Sequence, residues 1–464
     1  MFSKLNNTIS SKDKEAGSHE VSKADVETGQ IESLDEAELF LQRHGVTNTQ
    51  LQEMLDDPER SKKLRRRVDR ILLPLLCGTY CLQYIDKQAL SYSAVFDLFT
   101  DANISSNQYS WLASLFYFEL ANHSAPITPC FMMIVGMWYL RQEQPLRAGC
   151  FYACNGVGSM LGGLLTYGIG QMHSFPVWRG IFLICGGITV VWGVVLLIFL
   201  PNSILTAKRF TVEEKILLIG RGKKNQTGIL NRKIKWYQIR EALVDPQTWL
   251  LFLFTLLNET VNGGVANFGK LIIKGLVSSP LLTTALGIPQ GAFSVVFVFT
   301  AGYFSTRFKN ARTIIMIIYL CPTIIGISLL WKLPRSNRYG VLFGYYILGA
   351  YVGSLVLALQ MPSTNTAGYT KRVTSTAFVF LAYCIGNIIG PHAFLSEEAP
   401  IYQTGCRLIL GCALCQMACA VALRVLLISR NQRRDKMGLP AGGSDEQIME
   451  DLTDYENPRF RYVL

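Results

Sequence analysis

Charge is scarce in this chain: Asp, Glu, Lys and Arg make up 17% of its 464 residues, while 50% are hydrophobic. That balance excludes an ordinary soluble multidomain protein and points to one that crosses a bilayer many times. Histidine is scarcer still, with five in all (His19, His44, His123, His173 and His392). None stands in a metal-binding or nucleophile pattern, so neither an enzyme nor a cofactor is expected. Cysteine is nearly missing from the polar stretches. Most of the twelve lie inside apolar blocks at helical spacing, as Cys77 with Cys81 and Cys150 with Cys154 do, which leaves them as small packing residues. Cys412 and Cys415 match C-x-x-C, but no second ligand pair follows, and no metal site is expected. An apolar leader is also lacking. Residues 1 to about 60 are polar and of mixed charge, which excludes a secretory signal peptide and makes the first apolar block the targeting anchor.

What the chain does have is long hydrophobic runs, divided by one polar interval. From Pro201 to Gln247 stand ten basic residues (Lys208, Arg209, Lys215, Arg221, Lys223, Lys224, Arg232, Lys233, Lys235 and Arg240) against four acidic ones. Such a loop belongs on the cytoplasmic side. Apolar blocks fall at Ile71–Phe96, Tyr109–Tyr139, Gly149–Gln171 and Trp178–Leu200 before it, and at 248–273, 282–304, 312–331, 340–361, 373–394 and 404–428 after it. The second block is interrupted by Glu119, Asn122, His123, Pro126 and Pro129, yet it is too short for two spans of about 20 residues and counts as one crossing. The expected architecture is therefore an all-α polytopic membrane protein of ten spans, four plus six. Its parts are a polar tail (1–70), an amino-terminal half (71–200), the basic loop (201–247), a carboxy-terminal half (248–428) and a second tail (429–464). The run Lys62 to Arg70 sits against the first span and puts both termini in the cytoplasm, and the net charge of +11 reads as topology, with no nucleic acid partner. Lys332, Arg335 and Arg338 dissent by falling outside. Asn103-Ile104-Ser105 is a glycosylation sequon in an expected outer loop.

Polar residues at membrane depth are the candidate site. Asp86 and Lys87 lie in the first span, where an ionisable group costs on the order of 3 kcal/mol unless it faces a partner or a polar interior. The alternative is that both snorkel to the outer interface. The span from Trp249 to Ile273 holds Asn258, Glu259, Asn262, Gly263, Gly264, Asn267 and Lys270, a mixture like that of the broken helices lining transporter sites. Asn155, Gln290, Gln360, Asn365 and Asn387 are further lining candidates. Gly158 and Gly162 form a G-x-x-x-G expected to bring two helix backbones together.

With those residues in view, the chain resembles the major facilitator superfamily, and within it the fungal allantoate permease family of anion:cation symporters. The likeness runs from about Arg65 to Arg430 and rests on LQYIDKQALSYSAVF, QYSWLASLFYF, PITPCFMMIVGMWYLRQEQPLRAG, NGVGSMLGGLLTYGIG, NETVNGGVANFGKLIIKG and LGIPQGAFSVVFVFTAGYFSTRFKNARTIIM. It implies a helical bundle of two pseudo-symmetric halves, acting as a monomer in the plasma membrane to carry a small organic anion inward with protons. Ureides or vitamin carboxylates such as allantoate, nicotinate or pantothenate are the substrates it implies. Lys87 or Lys270 would then meet the carboxylate, Asp86 or Glu259 would carry the proton, and Asn155, Asn258, Asn262, Asn267, Gln290 and Asn387 would position the substrate. Gly302, Arg307, Lys309 and Arg312 match the superfamily's cytoplasmic loop signature, an inter-helix latch, with Thr306 where an acidic residue is usual. Family members have twelve spans. Here the second passes near Phe118 straight into the end of the fourth near Ala125, so about two spans are missing and impaired transport is expected, the alternative being a non-transporting remnant or nutrient-sensing scaffold.

Overall fold

The computed structural model describes residues 40–41, 43–96, 98–122, 127–140, 143–172, 175–201, 203–224, 234–277, 279–399, 401–437 and 452–464. Among them the regular structure is entirely helical. His123 and His173 lie outside the described residues. The helices are α1 (Asn48–Asp56), α2 (Pro58–Val95), α3 (Ser106–Asn122), α4 (Ile127–Trp138), α5 (Gln144–Ile169), α6 (Val177–Phe199), α7 (Val212–Lys224) and α8 (Trp236–Val244). They continue with α9 (Pro246–Lys274), α10 (Pro280–Arg307), α11 (Arg312–Lys332), α12 (Arg338–Leu348), α13 (Tyr351–Asn365), α14 (Tyr369–Ile389) and α15 (Gln403–Asp435).

One local device starts three of the long helices. Asp57, Asp245 and Ser279 each accept a backbone N–H of the first turn, and each is followed by proline at the first helical position. Proline has no N–H to lose there and its φ is already helical. These starts lie further out than the apolar runs suggest. The helix of the first span begins at Pro58 instead of Ile71, and that of the last runs to Asp435, because the helices continue through the basic flanks.

Six helical stretches are long and apolar enough to cross a bilayer: α6, α10, α11, α12 with α13, α14 with the short turn after it, and α15. Helices α2, α5 and α9 are also longer than the roughly 20 residues a crossing needs. Their apolar character is diluted by the polar and glycine residues they turn inward. The fused stretch divides into α3 and α4, and both pieces lie against α14. That arrangement fits a single passage.

Parts of the basic loop are helical: α7 and α8 fall within it. Ile216 and Ile219 of α7 cluster with Leu51 of α1 and with Leu41 ahead of it. Arg67 on α2 pairs with Glu214 at 2.8 Å, and Glu143 accepts from both Arg65 and Arg221. Helix α8 belongs instead to the second half. There Lys371, fully buried, meets Glu241 at 2.8 Å, Asp245 at 3.5 Å and Asp454 at 2.7 Å. Asp454 belongs to the tail segment 452–464, which is held further by Tyr462 donating to Asp454 (2.7 Å), by Asn365 exchanging two 2.8 Å bonds with Val463, and by the Arg312 amide donating to the Leu464 carbonyl (2.8 Å). This strap ties the adjoining ends of α9, α11, α13, α14 and α15 together. Lys371→Met leaves two buried carboxylates, Asp245 and Asp454, and the half-buried Glu241 without this ammonium, with Arg430 still 2.7 Å from Asp245. A loss of about 3 kcal/mol is expected, read as a lower melting temperature and faster proteolysis of the tail.

Candidate functional site

The two halves meet along α2 and α9, and α5 packs lengthwise on α10. Helix α9 is continuous from Pro246 to Lys274, so the expected broken helix is not found. Its glycines serve close approach instead. A Cβ on Gly263 would stand 2.7 Å from the Asn387 carbonyl oxygen, so α9 and α14 touch backbone to backbone. Gly158 plays the same part between α5 and α2, where a Cβ would lie 2.5 Å from the Cys81 carbonyl, as the G-x-x-x-G spacing implied.

That approach builds the first polar cluster. Glu259 on α9 is fully buried, and its Oε2 accepts from Asn262 (2.8 Å) and Asn387 (2.5 Å). Asn262 also donates to Asn387 Oδ1 (3.2 Å) and accepts from the Tyr351 hydroxyl (3.1 Å). Glu259 Oε1 is buried with no hydrogen-bond partner among the described residues. Lys87 on α2, in the other half, exerts a Coulombic pull on Glu259.

The second cluster lies three turns along α9, about 16 Å toward its carboxyl end. Lys270 is 3% exposed; its Nζ donates to Gln88 Oε1 and stands 3.4 Å from the centroid of the Tyr92 ring. Both partners belong to α2, one turn apart. Among the described residues no carboxylate pairs with this ammonium. Around it the halves are joined by Ser91 and Tyr109 hydroxyls donating to the Asn267 carbonyl (3.1 and 3.2 Å) and by Lys274 Nζ donating to Val95 O (3.0 Å).

The remaining candidates are dispersed. Asn258 donates to Tyr351 O, Ser354 and Gln416 (3.3, 3.2 and 2.9 Å), an inter-helix knot within the second half. The Asn267 side chain bonds back to Gly263 O at 2.7 Å. Asp86 accepts from Thr189 of α6 at 2.6 Å. It lines, with Lys87, Asn267, Trp178 and Phe182, a cavity of about 400 Å³. Asn155 is half-buried on α5 and Gln290 buried on α10. Gln360 is buried, and neither amide atom has a hydrogen-bond partner among the described residues. Of the loop signature, Gly302 is buried, Arg307 and Lys309 are exposed, and Arg312 donates to Thr364 at 2.9 Å.

Sequence reasoning missed Gln88, Tyr92 and Tyr351. Gln88 extends the polar run of Asp86 and Lys87 and could have been included on that ground. The two tyrosines carry no sequence signal that separates them from the other aromatics.

The sequence profile described as Major Facilitator Superfamily matches residues 123–391. An uncharacterised transporter of Schizosaccharomyces pombe is 33% identical over 94% of this chain and 94% of its own. That alignment runs over 498 positions, more than the 464 residues here, so the relative holds segments with no counterpart in this chain. The allantoate permease of Saccharomyces cerevisiae is 29% identical, covering 88% of this chain and 87% of that one. A thiamine pathway transporter of the same yeast is also 29% identical, over 87% of each. Among solved structures, the Escherichia coli fucose:proton symporter in the outward conformation is 11% identical and covers 76% of this chain and 98% of that one at a TM-score of 0.44, too low to add to the argument. The chain belongs to the Major Facilitator Superfamily, as an integral membrane transporter of a small-molecule substrate.

Proposed function

We propose that the protein carries small organic anions across the plasma membrane by proton symport and alternating access, as a monomer with both termini in the cytoplasm. The observation that supports this reading best is Lys270, an ammonium buried on the seam between the halves and opposed there by an amide and a ring. A buried cation without a counter-ion is costly, and a carboxylate brought by the substrate relieves that cost. Glu259 is the proton carrier in this reading. Its carboxyl takes up the proton when separation of the halves removes the Coulombic pull of Lys87. Asn262 and Asn387 hold its carboxyl in place. Allantoate, nicotinate and pantothenate are the carboxylates to test.

Uptake of the three radiolabelled anions into cells or proteoliposomes, with and without an imposed proton gradient, tests the reading. Lys270→Met is expected to lower uptake by about a hundredfold, equivalent to roughly 2.7 kcal/mol. Absence of flux from a correctly localised wild-type protein defeats the transport claim. It would favour the second reading, a non-transporting membrane scaffold, which the shortened first half supports.

A further inference from the structure

The α2 face that meets Lys270 is a stripe of Tyr84, Gln88 and Tyr92, spaced four residues apart. Gln88 is 3% exposed, so its amide is enclosed on the seam. Its Oε1 accepts from Lys270 while the Tyr92 ring covers the ammonium from one side. An amide oxygen in this place has the shape of a carboxylate oxygen without its charge. It satisfies one of three N–H donors and leaves the positive charge uncompensated.

We infer that Gln88 is a resident stand-in for the substrate's carboxylate. The arriving anion displaces the Gln88 oxygen from Lys270 and takes over that hydrogen bond with a full opposing charge. The exchange also has a mechanical consequence. The Gln88–Lys270 bond is one of the ties between α2 and α9, alongside Ser91 to Asn267 O and Lys274 to Val95 O. Transfer of Lys270 from Gln88 to a ligand removes the central tie, so anion binding loosens the seam that must open for the halves to part. Gln88 therefore sets affinity by competing with the ligand, and it selects for ligands charged strongly enough to outcompete an amide. This rests on the anion reading above, but the unliganded protein tests it separately.

The test compares thermal unfolding of purified full-length wild type, Gln88→Glu, Gln88→Ala and Gln88→Glu with Lys270→Met, each alone and with allantoate, nicotinate or pantothenate, nicotinamide being the neutral control. Without ligand, Gln88→Glu is expected to melt several degrees above wild type, because a carboxylate of the same shape now neutralises Lys270. The added Lys270→Met should reverse that gain. The built-in carboxylate should also abolish stabilisation by the anions, whereas Gln88→Ala, with the competitor removed, should keep it and bind several-fold more tightly. Gln88→Glu melting at or below wild type, a surviving anion response in Gln88→Glu, or loss of the response in Gln88→Ala would each overturn the inference. A wild type that responds to none of the three anions removes the anion reading instead, and the ligand-free comparison then decides Gln88 alone.

Discussion

Glu259→Gln is expected to abolish proton-driven accumulation of substrate, by about a hundredfold or roughly 2.7 kcal/mol, while leaving exchange of internal for external substrate measurable. The substitution is nearly isosteric. A glutamine carbonyl oxygen can accept from Asn262 and Asn387 as Oε2 does now, and its amide nitrogen would occupy the place of Oε1, which has no partner among the described residues. The packing is kept, and the group that takes up and releases a proton is lost. Counterflow at equal pH should therefore persist where gradient-driven uptake fails. A variant that still accumulates substrate against its gradient would put the proton elsewhere. Asp86, hydrogen-bonded to Thr189 on the other side of α2, is the alternative carboxyl. The substitution also strands Lys87 without its counter-charge, so the protein should melt lower, and Lys87→Met in the same chain should restore stability without restoring coupling.

How far the site was legible depended on whether its signal was local. Buried charge is a local signal, because Asp, Glu and Lys are rare inside apolar runs; Glu259, Lys270 and Lys87 stand out for that reason, and Glu259 and Lys270 fall in two separate clusters about 16 Å apart along α9. Asp86 carries the same signal and is brought to a different partner, since adjacent helical residues point about 100° apart. Depth in the membrane says nothing about which face of the helix is used. The amides divide for the same reason. Asn262 and Asn387 join Glu259, whereas Asn258 is taken up by Ser354 and Gln416, partners more than 90 residues away in sequence. The glycine pair of α9 suggested an interrupted helix because glycine permits one. What composition could not convey is that Asn387, over 120 residues later, lies where a Cβ on Gly263 would have to go. The strap of residues 452–464 was invisible for a related reason. Lys371 reads as one more basic residue of a short inside loop, and only the fold brings Asp454, from the far end of the chain, to 2.7 Å from it.

Gly386→Val should be the most damaging single change to the site and should act through the backbone. A Cβ at Gly386 would lie 2.8 Å from the Glu259 Cβ and 2.9 Å from the Thr260 nitrogen, contacts that no side-chain rotation relieves. Helix α14 would have to move off α9. Asn387, the next residue, would then lose its 2.5 Å bond to Glu259 and its 3.2 Å bond from Asn262. Overpacking of this kind costs about 3 kcal/mol or more when the obstacle is main chain. Freeing two buried amides and a carboxylate from one another adds to the cost. The expected result is a fall in melting temperature large enough to impair accumulation of the folded protein in the membrane, together with loss of uptake in whatever remains. Gly411→Ala on α15 is the control, because a Cβ there meets nothing within 4 Å. Replacing an unhindered mid-helix glycine should leave stability unchanged or raise it by about 0.5–1 kcal/mol. If the two variants melted together, α14 would not be held against α9 by the missing side chain, and the carboxyl would owe its position to Asn262 and Lys87 alone.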